Sequence, residues 1–146
     1  MKRLQAVAAE IPLVFPVHPR TRERLARFGL EESLTKTPGI YLTTPLSYVP
    51  FMGLVRRARL VVTDSGGIQE ETTYLGIPCI TVRETTERPV TITQGTNRLV
   101  RADALVQTVQ EALHGAWQRG VRPQFWDGHT AERVVDSLRT RVRSAS

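Results

Sequence analysis

The residues best suited to chemistry form one stretch, Thr63-Asp64-Ser65-Gly66-Gly67-Ile68-Gln69-Glu70-Glu71, directly after the apolar run Leu60-Val61-Val62. Adjacent glycines let a chain turn tightly and let a ligand approach the backbone with no Cβ in the way. If a helix starts there, its free amides and the positive end of its dipole favour a phosphate, and Ser65 adds a hydroxyl donor. Glu71 falls four residues after Gly67, on the same helix face one turn along. A carboxylate so placed accepts two hydrogen bonds from a ribose diol while a diphosphate rests on the helix start. A glycine turn followed by surface glutamates fits the same residues, and Gly-Gly alone does not separate the two readings.

Other groups could join such a site. Six of the seven residues of Arg83-Glu84-Thr85-Thr86-Glu87-Arg88-Pro89 carry hydrogen-bonding side chains. Arg88 can offer a fixed guanidinium to a phosphate or ribose. Arg83 could serve instead, or pair with Glu87, and a solvated loop is the alternative to all of these. His18 follows an apolar run, where an imidazole can donate to a phosphate, act as an acid or base, or be purely structural. His114 and His129 carry no assigned role. Cys79 lies inside the apolar stretch 77–82 and is expected to be a small core residue. No pair of candidate ligands shows a metal-binding spacing.

The elements that must position these groups alternate. Helices are expected over 2–10, over a segment with Leu25, Phe28 and Leu30 that stops near Gly29, and after Ser47. The Ser47 segment would bury Val49, Met52, Leu54 and Val55. Further helices run from the glycine pair to Gly76, from Asp103, and through Ala131, Val134, Val135 and Leu138. Strands are expected at 13–17, 40–42, 59–62, 79–82 and 98–100, with a polar loop at 83–95. The strands are apolar throughout, the pattern of a parallel sheet with helices on both faces. In such a sheet ligands bind beyond the carboxyl ends of the strands, where the glycine pair, the 83–89 loop and His18 all fall.

Composition sets the outer bounds. The 146 residues suit one domain, and 40% hydrophobic content argues against disorder. The net charge of +6 is spread over clusters at 20–27, 56–59 and 139–143. These lack the interleaved aromatics of a nucleic-acid surface and read as solvated helix faces. A signal peptide and an apolar run of membrane-spanning length are not expected. A lone cysteine fits a reducing cytoplasm.

Taken in order, the 63–71 stretch, Leu75-Gly76-Ile77-Pro78, Thr86-Glu87-Arg88-Pro89 and Gly95-Thr96-Asn97 resemble the C-terminal half of the non-hydrolysing UDP-N-acetylglucosamine 2-epimerases. Residues 15–21, Tyr48-Val49-Pro50-Phe51, Trp126-Asp127-Gly128 and Ala131-Glu132-Arg133 also resemble that family. The resemblance implies a Rossmann-like domain equivalent to the C-terminal half of a GT-B-like two-domain fold. Residues 1–143 would form this UDP-binding domain and 144–146 a frayed tail. It implies that Ser65, Gly66 and Gly67 contact the diphosphate, Glu71 the ribose, Phe51 the uracil and Arg88 the nucleotide. The matching histidine in relatives puts His18 nearer a regulatory UDP-sugar site, and Leu46 replaces a residue that some relatives keep polar near the base.

The chemistry implied is elimination and re-addition of UDP, interconverting UDP-N-acetylglucosamine and UDP-N-acetylmannosamine with no cofactor. Relatives act as homodimers and carry an N-terminal domain, expected here on a separate chain or missing. The first strand of this half is unmatched, so a gap or rearranged order is expected in the sheet, with little activity from the chain alone. A non-catalytic UDP-sugar module and a glycosyltransferase donor domain are the competing readings, and Thr-Glu-Arg-Pro favours the epimerase over the latter.

Overall fold

A computed structural model describes residues 2–115 and 117–144. Helix α1 (Lys2–Glu10) leads into strand β1 (Leu13–Pro16), then helices α2 (Pro19–Arg27) and α3 (Glu31–Thr35) and strand β2 (Ile40–Thr43). Helix α4 (Tyr48–Val55), strand β3 (Val61–Thr63), helix α5 (Gly66–Leu75) and strand β4 (Cys79–Thr81) follow. Helix α6 (Val90–Thr93), strand β5 (Asn97–Leu99), helix α7 (Leu105–Leu113) and helix α8 (Thr130–Ser144) complete the order. Residues 145 and 146 of the expected tail lie outside the described residues.

All strand pairs are parallel, as the expected alternation of strands and helices implies. The sheet is in two sections, β1-β2 and β3-β4-β5, with no ladder joining them among the described residues. β1 pairs with β2 from Leu13↔Ile40 to Pro16↔Thr43. In the second section β4 is central, with Val61↔Cys79 on one side and Cys79↔Asn97 on the other. Helix α1 takes over the work of joining the sections. Its Leu4, with Leu13 of β1, packs into both core clusters: Val7, Ile80, Leu105 and Val109 in one, Ala8, Leu34 and Ile40 in the other. Burying one such side chain fully is worth about 1.5–3 kcal/mol, so α1 is an integral part of the core.

Several local expectations change, although the helix with Leu25 and Phe28 does stop near Gly29, which has φ 64°. A separate, unexpected helix α3 follows it. Its single apolar anchor, Leu34, is fully buried but too isolated to show periodicity. The polar loop at 83–95 contains α6, whose sequence VTIT is too short for a pattern. Helix α4 does not bury the side expected of it. Val49 is 77% exposed and Leu54 38%, and Val55 is the residue it buries. Only the last turn of this short helix meets the core, and the Ser47 hydroxyl makes no capping bond. The end of α5 is as expected, with Gly76 at φ 71° closing the helix in the left-handed conformation.

Candidate functional site

The site grows from the turn between β3 and α5. The Ser65 N–H donates to Thr63 Oγ1 at 3.0 Å, which fixes the approach to the helix. Ser65 stands at the cap position in extended conformation, and its hydroxyl makes no capping bond to the first-turn amides. Gly66 is there because another group lies against it. A Cβ at Gly66 would sit 2.8 Å from Arg88 Cζ and 2.9 Å from Glu87 Oε1. The guanidinium of Arg88 thus rests over the start of α5, supplied by the loop after β4. A cation beside the positive end of a helix is unfavourable unless anions are near. Two are: Glu87 Oε1 lies 2.7 Å from Arg88 Nη1, and Glu70 Oε2 lies 3.1 Å from Arg88 Nε. The second contact is an ion pair whose angle falls short of a hydrogen bond.

The charges respond accordingly. Glu70 first, then Glu87, pushes the pKa of Arg88 above its ordinary value. Glu87 is held below the usual carboxylate range by its own backbone N–H, with Arg83 and Arg88 assisting. Arg83 pairs with Glu87 at 3.2 Å, so of the roles open to it the structure shows that pairing. Four charged side chains therefore converge on the first turn of α5, with Arg88 in the middle. An anion arriving there would meet a guanidinium already in place and would compete with Glu87, the more exposed of its two partners.

Glu71, one turn along α5, has Oε2 buried with no hydrogen-bond partner among the described residues. Tyr48, the first residue of α4, lies near it, and the charge of Glu71 is the main cause that raises the phenol above its ordinary pKa of 10.0. Phe51 stands three residues further along α4, half-buried on the same helix. Arg88 is brought against Gly66, with Ser65 and Gly67 its chain neighbours and Glu71 one turn along α5, while α4, which carries Phe51, reaches this helix through Tyr48.

His18 stands between the end of β1 and the start of α2. It caps α2 by accepting the Arg20 N–H at Nδ1, 3.3 Å away. It lines an open cleft of about 610 Å³ with Arg20, Thr21, Glu23, Arg24 and Arg27. Its described hydrogen bonds stay within the first turn of α2. Cys79 is fully buried in β4, as a core residue should be, and burial raises its thiol pKa. His129 pairs with Glu132 at 3.0 Å beside the start of α8.

Sequence reasoning passed over Gln69, Glu70, Thr86 and Asn97. Gln69 and Asn97 are fully buried, and Asn97 Nδ2 donates to Gln69 Oε1 at 3.1 Å. The available signal was the spacing of Gln69, Thr72 and Thr73, which share one face of α5. A polar face normally reads as solvated, but here it is the face turned to the sheet.

The model for the family described as UDP-N-acetylglucosamine 2-epimerase matches residues 1–139. The protein of that name from Methanocaldococcus jannaschii is 39% identical over 128 residues, covering 86% of this chain and 34% of its own length. Its namesake from Escherichia coli K12 is 38% identical over 139 residues, covering 89% and 35%. A crystal structure of the M. jannaschii enzyme in complex with UDP-GlcNAc and UDP superposes with a TM-score of 0.75 at 34% identity. That superposition covers 95% of this chain and 41% of the crystallised one. The chain spans about a third of the length of the curated relatives it matches. With the match running from the first helix into α8, the chain belongs to the UDP-N-acetylglucosamine 2-epimerase family.

Proposed function

We propose that this chain is the UDP-holding part of a non-hydrolysing UDP-N-acetylglucosamine 2-epimerase. The observation that carries the reading is the Arg88 guanidinium resting over Gly66 at the start of α5. The diphosphate takes the amides around Ser65, Gly66 and Gly67 together with Arg88, Glu71 takes the ribose hydroxyls, and Phe51 faces the uracil. In the family chemistry a base removes the C2 proton while UDP leaves C1, and UDP returns after the proton is restored on the opposite face. Preorganised amides and a guanidinium stabilise the charge that grows on the departing diphosphate, which is where this part of the enzyme contributes. The proton chemistry at the sugar is assigned to the remaining length that the relatives possess. His18 is assigned to a second UDP-sugar contact, supported by the arginines that share its cleft. The assembled enzyme is taken to be a cytoplasmic homodimer, and no described helix is long and apolar enough to cross a membrane.

Isothermal titration with UDP tests the binding role directly. Saturable binding that Arg88→Ala weakens is the expected result, and no heat at millimolar UDP would sink it. For turnover, the chain is incubated with UDP-N-acetylglucosamine and the C2 epimer is followed by NMR. Little epimer is expected, and a rate near that of a full-length relative would overturn the division of labour.

A further inference from the structure

Arg88 is held by a closed circuit of hydrogen bonds that the binding role alone does not require. The Thr86 hydroxyl donates to Gln69 Oε1 at 2.7 Å and accepts the Arg88 backbone N–H at 3.1 Å. On the other side, the Arg88 carbonyl accepts from the Thr91 hydroxyl at 2.8 Å. Thr91 Oγ1 in turn accepts from Asn97 Nδ2 at 3.0 Å, and Asn97 Nδ2 also donates to Gln69 Oε1 at 3.1 Å, which closes the ring. Thr81 anchors the ring to β4 by donating to Asn97 Oδ1 at 2.6 Å, and Gln69 Nε2 donates to the Ser65 carbonyl at 3.3 Å. Gln69, Thr81, Thr91 and Asn97 are all fully buried. A buried polar circuit is rigid when every member is satisfied and costly when one is not.

The connections are specific to Arg88. Both its backbone groups are gripped, one by Thr86 and one by Thr91. Its guanidinium is aimed by Glu70, the residue after Gln69 on α5. Helix α5 therefore references both ends of one side chain, while Gly66 on the same helix clears the space it occupies. We propose that Gln69, Thr86 and Asn97 are positioning residues that fix Arg88 over the start of α5 and so set the affinity for a diphosphate. The proposal deepens the UDP-binding reading and rests on it for its ligand.

Asn97→Ala would leave a void and several orphaned groups, so the decisive variant is Thr86→Val. Thr86 is half-buried, and valine keeps its branched shape while removing the hydroxyl. Titrations of UDP into the parent chain, Thr86→Val, Thr86→Ser, Arg88→Ala and the Thr86→Val/Arg88→Ala double variant are compared. Thr86→Val is expected to weaken UDP on the order of tenfold, Thr86→Ser to restore it, and Thr86→Val to cost nothing further on Arg88→Ala. Unchanged affinity in Thr86→Val overturns the proposal. So does an equal loss with and without Arg88, which would mark a merely structural role. If the parent binds no UDP, the functional reading fails, and hydrogen exchange at the Arg88 Nε–H then decides the positioning. Faster exchange in Thr86→Val with recovery in Thr86→Ser supports it, and identical exchange in all three overturns it.

Discussion

Helix α5 buries Gln69, Thr72 and Thr73 against the sheet, whereas α8 leaves Val134, Val135 and Leu138 between 44% and 58% exposed. Each reverses the usual division, in which the apolar stripe of a helix faces the core. In α5 the reversal is explained within the chain. The Thr72 hydroxyl donates back to the Ile68 carbonyl at 2.7 Å, and Gln69 finds partners on the 86–88 loop and β5. In α8 nothing in the described core takes up the stripe, and the helix is tied at its start by Asp127 and Arg133 instead. The pattern of a helix tells which face is apolar. What covers that face is a property of the surrounding fold.

The largest effect that would break this comparison is on stability. Ile80, central in β4 and fully buried, should cost about 2–5 kcal/mol when changed to alanine. Leu138→Ala in α8 should stay within about 0.5 kcal/mol. Urea unfolding of both variants measures the contrast, and a Leu138 cost approaching that of Ile80 would mean that α8 is packed after all.

Next comes binding at the start of α5. Arg88→Ala should weaken UDP roughly 10- to 100-fold, from the loss of a charged hydrogen-bonding partner. Gly66→Ala should do comparable harm by a different route, since its new Cβ displaces the Arg88 guanidinium, the far end of a flexible side chain. Both should unfold near the parent midpoint, in contrast to Ile80→Ala. A Gly66→Ala protein that binds UDP like the parent would show that the guanidinium position does not matter.

The strands, the alternation with helices and the α5 turn were legible because apolar runs and glycine punctuation are local signals. Ser65, Gly66, Gly67, Glu71 and Arg88 could be grouped because strand carboxyl ends bring distant segments to one edge. The partners of Arg88 were not legible in the same way. Glu70 and Glu71 are adjacent carboxylates of the same type, yet one pairs with Arg88 and the other faces Tyr48, a distinction set by the 100° step between neighbouring helix residues. Gln69 and Asn97 meet across 28 positions of sequence, and neither carries a local mark of burial. Helix α3 and α6 were missed because four or five residues hold at most one period of pattern.

Tyr48 gives a smaller, sharper reading of the α5 surface. Its pKa is raised chiefly by Glu71, so the neutral phenol is favoured in the folded protein. The associated stability is complete below pH 10 and is lost as pH rises through the higher folded value. Glu71→Gln should move the Tyr48 titration back toward 10.0, read from phenolate absorbance with Tyr48→Phe as the reference. A titration unmoved by Glu71→Gln would separate α4 from the Glu71 side of α5.

The smallest effect is expected at the start of α8, the counterpart of the α5 turn. Asp127 accepts from the His129 N–H at 3.1 Å and from Arg133 Nη1 at 2.8 Å, with Nη2 of the same arginine on its second oxygen. Arg133, first among the causes, holds the Asp127 carboxyl well below its ordinary 3.8. A depressed carboxylate contributes stability above its unfolded pKa and loses it as pH falls through the folded one. The turn into α8 should therefore persist through the acid range in which ordinary carboxylates take up protons. Hydrogen exchange at the first α8 amides would follow this, with Asp127→Asn exchanging faster wherever the parent carboxyl is ionised and global unfolding little changed. Since α8 leaves its apolar stripe open to solvent, the bond at its start matters to the helix and hardly at all to the core, which is where it differs most from the ring around α5.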